Sequence, residues 1–294
     1  MSKNNYLVLG NTGFVGKNLF IYLEKKIKNK AKILGFGSKK IDLSIENKAK
    51  KLSKFIDKKS IIFFLSFNKT QRNAKISDLE KNLDIIKNFN KIISLKKPKK
   101  IIFFSTQSVY GEDTNNLNTT EKTLPDPTSY YGIAKYLAER LLIKICKERE
   151  IPLVVARIPR VYGEGDSAKN YGPTMFLNNF LKLNSFSIWG NGEEKRDYIY
   201  INDLNNIIFK LSNNSFQGVV NVCSGKPYSF SEIIKILETV SKKKIKIKKI
   251  KRTRKKVNHI MNNNLLQKII GNYKFAHLDK NLDRLYNRYK SNEK

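Results

Sequence analysis

Tyr131 and Lys135 stand four residues apart in Ser129-Tyr130-Tyr131-Gly132-Ile133-Ala134-Lys135. At helical spacing they share one face. A phenol beside an ammonium suits proton transfer, because the cation favours the phenolate and brings the phenol's pKa toward neutrality. Such a pair is frequent in helices and gains meaning only from its company. One companion is Thr106, in Ser105-Thr106-Gln107-Ser108-Val109-Tyr110-Gly111, which follows the apolar run Ile101-Ile102-Phe103-Phe104. A hydroxyl at such a strand end can hydrogen-bond a substrate oxygen, where the plainer alternative is a Ser/Thr-rich turn. The other companion is Gly10-Asn11-Thr12-Gly13-Phe14-Val15-Gly16, with three glycines in G-x-x-G-x-x-G spacing. It follows the apolar Tyr6-Leu7-Val8-Leu9 and precedes a segment with helical periodicity. Strand, glycine turn and helix put a helix N-terminus against a pyrophosphate. In that reading Gly10 makes the tight turn, Gly13 admits the phosphates and Gly16 lets helix and strand pack closely.

The elements that must position these groups alternate in type. Apolar runs at 6–9, 31–36, 60–65, 100–105 and 153–157 predict strands. Amphipathic segments at 17–28, 45–56, 78–95 and 129–148 predict helices between them. That order predicts an α/β fold: a doubly wound parallel sheet with right-handed crossovers and helices on both faces. Ligands of such sheets bind at the carboxyl ends of the strands. The second half is less regular. Pro173, Gly190 and Gly192 punctuate a loop-rich stretch, 219–223 reads as a short strand, and helical patterns return at 231–241 and near the C-terminus. We read a smaller C-terminal substrate-binding cap built from late segments. The expected division is 1–165, with 199–223 returning to it, and a cap of 166–198 and 224–294.

Composition excludes several classes. The 294 residues are 40% hydrophobic, ample for a core, and no apolar run approaches the roughly 18 residues a membrane span needs. Strand and glycine turn open the chain, which predicts no cleavable signal. Cys146 and Cys223 are the only cysteines and form no C-x-x-C pair, so a disulfide or metal framework is not expected and a reducing cytoplasm fits. With His259 and His277 as the only histidines, a His-based triad or metal site has little support. The net charge of +33 suits anionic partners, but Lys is abundant along the whole chain, as a compositional bias would produce. The concentrated exception is 242–256, where eleven of fifteen residues are Lys or Arg and Ile245, Ile247 and Ile250 interrupt. That alternation predicts a strand with one basic, solvated face.

Together these motifs resemble an extended short-chain dehydrogenase/reductase of the NAD-dependent epimerase/dehydratase family, over nearly the whole length. The matching pieces come in order: Gly10-x-x-Gly13-x-x-Gly16; Asn82 in Leu79-Glu80-Lys81-Asn82-Leu83; Ser105-Thr106 before Val109-Tyr110-Gly111; Tyr131 and Lys135; Arg157 through Gly163; Trp189-Gly190-Asn191-Gly192 followed by Arg196-Asp197-Tyr198; and Asn221-Val222-Cys223-Ser224-Gly225. The resemblance implies a Rossmann domain and hydride transfer between a nicotinamide and a nucleotide-linked sugar. It implies that Tyr131 is the acid/base, that Lys135 holds the nicotinamide ribose and lowers the Tyr pKa, and that Thr106 polarises the same oxygen. It further implies cofactor contacts from Gly10, Thr12, Gly13, Phe14, Val15, Gly16, Leu65, Asn82, Tyr131 and Lys135, and a homodimer through the helices near 78–95 and 129–148. Arg196 matches the position that meets the diphosphate, where a guanidinium offers a planar fork; the plainer reading is a surface ion pair with Asp197 or Glu193.

Departures from the family pattern narrow the reaction. Dehydrating members carry Asp-Glu directly after the catalytic Thr, whereas Gln107 and Ser108 stand here, which argues against 4,6-dehydration. Gln107 and Ser108 then face the substrate. Arg160 replaces an Asn before Val-Tyr-Gly and either adds an anion contact or fills space. An acidic residue at the end of the second strand would pair with the ribose hydroxyls of NAD, but the chain reads Phe36-Gly37-Ser38-Lys39-Lys40. Ser38 and Lys39 suit a 2′-phosphate, so NADP is favoured over NAD; ordinary loop lysines are the alternative. Asp42-Leu43 resembles the family's pair near the adenine, and the short span before it resembles the 4-keto-sugar reductase members. Epimerisation and 4-keto reduction both fit Thr106, Tyr131 and Lys135. The competing class is a non-catalytic Rossmann relative that grips nucleic acid through 242–256 or senses cofactor. Retention of Thr106, Tyr131 and Lys135 weighs against it, so nucleic acid is not the expected partner.

Overall fold

The computed structural model describes residues 4–68, 74–166, 172–183, 185–253 and 255–291. Arg254 of the basic run and residues 167–171 of the irregular stretch lie outside the described residues. The chain divides into two compact units. The first comprises 1–112, 123–158 and 205–220; the second comprises 113–122, 159–204 and 221–294.

The first unit is built on a six-stranded sheet. Strands β1 (Asn5–Leu9), β2 (Lys32–Phe36), β3 (Ser60–Phe64) and β4 (Lys100–Thr106) run in the spatial order β2-β1-β3-β4, continued by Leu153–Ile158 and Gly218–Asn221. The pairings β1–β2, β1–β3, β3–β4 and β4 with Leu153–Ile158 are all parallel. Sequence neighbours β2 and β3 flank β1 on opposite sides, so the strand order reverses there. That reversal opens a crevice at the carboxyl ends of β1 and β3. Every residue of β3 is buried, as two covered faces require.

The helices follow from apolar spacing. Helix α1 (Phe14–Ile27) buries Leu19, Leu23 and Ile27. The expected helix at 45–56 is instead a four-residue α2 (Glu46–Ala49) passing into a 3-10 turn, Lys50–Phe55. Only Ala49 and Leu52 point inward from it, too few apolar positions to stabilise further α-turns. Helix α3 (Ile76–Leu95) buries Ile85, Ile86, Phe89, Ile92 and Ile93, the period of one face. Helix α4 (Tyr130–Glu148) starts at Ser129, whose hydroxyl accepts from the Gly132 N–H at 3.0 Å. The core between sheet and helices is aromatic: Phe64 lies 4.3 Å from Phe89 and 5.5 Å from Phe103, centroid to centroid. Each such ring contributes about 1.5–3 kcal/mol through burial alone.

Among its described residues the second unit holds short strands and the helices Gly172–Leu183, Phe230–Ser241, Asn264–Ile270 and Leu278–Ser291. Arg160–Tyr162 pairs in parallel with Tyr198–Tyr200. The expected irregular stretch around Pro173 contains a helix, Gly172–Leu183, with Pro173 in its first turn, where the missing N–H costs nothing. Lys246–Ile250 is a strand, as expected; all five residues are exposed, and among the described residues it pairs only with Ser185–Trp189. Ile247 and Ile250 are therefore not a buried face; only Ile245, just before the strand, is buried. Among the described residues no helix is long and apolar enough to cross a membrane.

Candidate active site

The glycine turn closes on itself at the end of β1. Gly10 has φ +93°, which a side chain would strain, and its N–H donates to Phe36 O of β2 at 2.7 Å. A Cβ on Gly16 would sit 2.2 Å from Gly10 O, so only glycine lets α1 start this close. Gly13 differs: a Cβ there meets only Gly10 O, at 3.7 Å. Its outer face is open, and α1 has neither a side-chain cap nor an acidic residue in its first turn. The N–H groups of Phe14 and Val15 thus begin a helix whose positive end no side chain compensates. The residues present fit a pyrophosphate. Thr12 packs over Gly37, where a Cβ would fall 2.5 Å from Thr12 Cγ2, so the turn abuts the end of β2.

The end of β3 connects this turn to α4. Leu65 donates its N–H to Leu9 O at 2.9 Å, and its carbonyl carbon lies 3.1 Å from a Cβ built on Gly10. Two residues on, the Phe67 ring lies 3.9 Å from Lys135 Nζ. Two interstrand steps of about 4.8 Å separate β1 from β4, so turn and hydroxyl strand end stand about 10 Å apart on one sheet edge. Lys135 is 2% exposed, and its ammonium donates to Phe104 O at 2.6 Å while facing the Phe67, Phe103 and Tyr131 rings. Tyr131, one turn earlier, is half-buried. Thr106 caps the 3-10 turn Gln107–Tyr110: its Oγ1 accepts from Ser108 N at 3.2 Å, which leaves its own proton to donate. Gln107 and Ser108 are half-buried beside it, and Gln107 Oε1 is buried without a hydrogen-bond partner.

The electrostatics of Tyr131 differ from the sequence expectation. Burial first, and the Glu112 charge second, push its phenol above the ordinary value. Both effects favour the protonated phenol. The Lys135 ammonium lies over the Tyr131 ring, 5.7 Å from the centroid, and donates to the Phe104 carbonyl.

Other expected contacts divide. Ser38 and Lys39 are exposed just beyond Phe36 and Gly37. Asp42 turns its carboxylate on Ser44, accepting from its N–H at 3.0 Å and its hydroxyl at 2.7 Å, and Leu43 is buried with its carbonyl accepting from Asn88. Asn82, 1% exposed, is spent on the backbone of Asn68, accepting from its N–H at 2.7 Å and donating to its carbonyl at 2.9 Å; it shapes the loop after β3. In the second unit, Arg160 lies against Tyr198, where burial lifts the phenol and the Arg160 charge opposes it. Arg196 is buried, not at the surface, and its partner is Glu194 at 3.3 Å, not Asp197 or Glu193. It also donates to Val257 O, and Arg252 takes the other Glu194 oxygen.

The model of the NAD-dependent epimerase/dehydratase family matches residues 6–223. The chain belongs to that family. A dTDP-D-glucose 4,6-dehydratase from Dictyostelium discoideum is 28% identical over 237 residues, 67% of this chain but 53% of the relative, so the chain spans about half that protein's length. A GDP-6-deoxy-D-talose 4-dehydrogenase from Aggregatibacter actinomycetemcomitans is 28% identical over 248 residues, 82% of each chain. In fold, the chain is similar to the UDP-glucose 4-epimerase of Thermotoga maritima, crystallised with UDP-glucose, with a TM-score of 0.85, 21% identity, and coverage of 99% of this chain and 100% of that one.

Two features of this epimerase/dehydratase chain escaped the sequence reading. Glu139 sits one turn after Lys135, 1% exposed, and pairs with the buried Arg157, whose Nη2 lies 2.6 Å from Glu139 Oε2. Ser105 donates to the same carboxylate. Burial pulls the Arg157 guanidinium down, but Glu139 outweighs it and the net shift is upward. The signal was present: Glu139 falls at i+4 from Lys135, on the same face. Glu112 is the second, and only its place after Val109-Tyr110-Gly111 marks it.

Proposed function

We propose that the protein reduces a 4-keto group on a nucleotide-linked sugar. The observation that carries this reading is geometric: Tyr131 stands one turn before the buried Lys135, whose ammonium donates to Phe104 O at 2.6 Å, and the first turn of its helix packs on Ser108, just after Thr106; burial and the Glu112 charge both favour the protonated phenol. A protonated phenol donates; it is poorly suited to begin a cycle by taking a proton from a sugar hydroxyl. A reduced nicotinamide, when bound, supplies the hydride. Tyr131 supplies the proton: its O–H bond breaks, an O–H bond forms on the sugar oxygen, and solvent returns a proton to the phenolate. Thr106 donates to the same oxygen, and Lys135, anchored on Phe104 O, orients the ribose side of the cofactor. Gln107 Oε1, an acceptor without a protein partner, takes a substrate hydroxyl. Gln107 and Ser108 offer no carboxylic acid to protonate a leaving hydroxyl, which supports reduction over 4,6-dehydration.

The first compact unit carries the dinucleotide. Exposed Ser38 and Lys39, with no carboxylate at the end of β2, favour NADP through its 2′-phosphate. We assign the sugar nucleotide to the second unit, with Arg160 as the contact for its anionic half; Arg196 is already paired with Glu194 and donates to Val257 O. Ile133, Leu137 and Leu141, 38%, 40% and 37% exposed at helical spacing on α4, support a homodimer through this helix.

The test is a panel of nucleotide-linked 4-keto sugars with NADPH or NADH, followed at the nicotinamide absorbance. Consumption of NADPH that Tyr131→Phe abolishes supports the reading. Interconversion of sugar epimers with a retained cofactor and no net absorbance change makes the enzyme an epimerase. Turnover that persists in Tyr131→Phe overturns the mechanism.

A further inference from the structure

The site lacks carboxylates at Gln107 and Ser108, yet a carboxylate reaches α4 from slightly further along. Glu112 Oε2 accepts from Thr128 N at 3.2 Å, Thr128 Oγ1 at 3.1 Å and Ser129 N at 3.3 Å. Its Oε1 accepts from the hydroxyl of Ser129, which itself accepts from Gly132 N at 3.0 Å. The clamp is tight: a Cβ on Gly132 would stand 2.9 Å from Ser108 O, 3.0 Å from Pro127 Cβ and 3.2 Å from Glu112 Oε1. The first turn of α4 contains no acidic residue of its own, so Glu112 supplies from outside the helix the negative charge that its N-terminus favours. Tyr130 and Tyr131 are the two residues between the cap and Gly132.

We infer that Glu112 is a positioning residue for Tyr131: by clamping Thr128, the Ser129 cap and Gly132 it fixes the first turn of α4, on which that phenol stands. The inference rests on the reading of Tyr131 as proton donor and deepens it. Two charged groups are set against Tyr131 from the described elements of this unit. Lys135, on its own helix, faces the ring at 5.7 Å. Glu112, from the segment after β4, opposes ionisation of the hydroxyl, as burial does more strongly. A negative neighbour keeps the proton on the phenol until a substrate oxygen accepts it, which biases the site toward donation.

The experiment reads the phenol directly and needs no substrate. The full chain is produced with 3-fluorotyrosine, which brings tyrosine ionisation into an accessible range, and the Tyr131 fluorine resonance is assigned by its loss in Tyr131→Phe. Glu112→Gln should lower the midpoint of that resonance by on the order of one pH unit. Glu112→Asp, which keeps the charge, should restore most of the shift. The alkaline limb of keto-sugar reduction should move down with it, in kcat more than in KM. An unchanged fluorine midpoint in Glu112→Gln overturns the inference, as does an Asp variant that behaves like the Gln one. Absence of any keto-sugar turnover by the wild type would sink the functional reading instead and leave the fluorine result to decide the role of Glu112.

Discussion

The ammonium of Lys135 donates to the carbonyl of Phe104 at 2.6 Å and, with the bond from Ser105 to Glu139, ties α4 to the end of β4. Tyr131, one turn earlier, is thereby placed along the edge that carries Thr106 and the glycine turn. The lysine that the sequence marked as an electrostatic partner of Tyr131 also registers helix to strand. Burying a cation among the Phe67 and Phe103 rings is tolerable because the carbonyl and the ring faces replace its hydration.

Removing the phenol oxygen alone should separate chemistry from folding. Tyr131→Phe is expected to cut turnover about 10²- to 10⁴-fold, the range for loss of a general acid. Cofactor affinity by fluorescence titration and the thermal midpoint should stay near wild type. A full-rate Tyr131→Phe enzyme would end the case for proton transfer by this residue.

The glycine turn offers a paired test. Gly16→Ala puts a Cβ 2.2 Å from Gly10 O and should leave little folded protein. Gly13→Ala meets only Gly10 O, at 3.7 Å, and should fold normally while binding dinucleotide more weakly, because the methyl occupies the approach of the phosphates. Equal cofactor affinity in Gly13→Ala and wild type would place the pyrophosphate elsewhere.

Glu139 and Arg157 form a buried pair at 2.6 Å with Ser105 on the same carboxylate. Truncating Arg157 to Met strands the Glu139 charge and should cost about 3–5 kcal/mol. Chemical denaturation reads this directly. The double variant Glu139→Gln with Arg157→Met should recover part of the loss, since no uncompensated charge remains.

Asp197 gives the second unit a pH dependence. It is fully buried, its Oδ1 accepts from the Ser224 hydroxyl at 2.8 Å, and burial pushes its carboxyl up to about 7. A folded-state value above the unfolded one means the neutral form is favoured in the native protein. Its stabilising contribution is complete below pH about 4 and is lost as pH rises to about 7, on the order of a few kcal/mol. Asp197→Asn should flatten stability between those limits. A wild-type curve with no fall across that window that Asp197→Asn removes would contradict the assignment.

Much of the first unit was legible in the chain. Alternating apolar runs and amphipathic helices specified the parallel sheet, because a strand buried on both faces and a helix buried on one leave different periods. The short helix Glu46–Ala49 broke that rule: its segment has helical residues but too few inward apolar positions, so a 3-10 turn won. Helix Gly172–Leu183 was hidden by Pro173, which reads as a breaker until its place in a first turn is known.

By itself the sequence determined the glycine turn, the Tyr131–Lys135 face and the hydroxyl at Thr106, since each is set by local spacing. Only the tertiary structure decided how these groups are charged and held. Glu112 is 19 residues from Tyr131 and Glu139 is 18 from Arg157; Arg196 is 61 from Val257. Burial and field depend on what the fold brings near, and no periodicity along the chain records that. The upward shift of the Tyr131 phenol, caused by burial and by Glu112, belongs to that second kind.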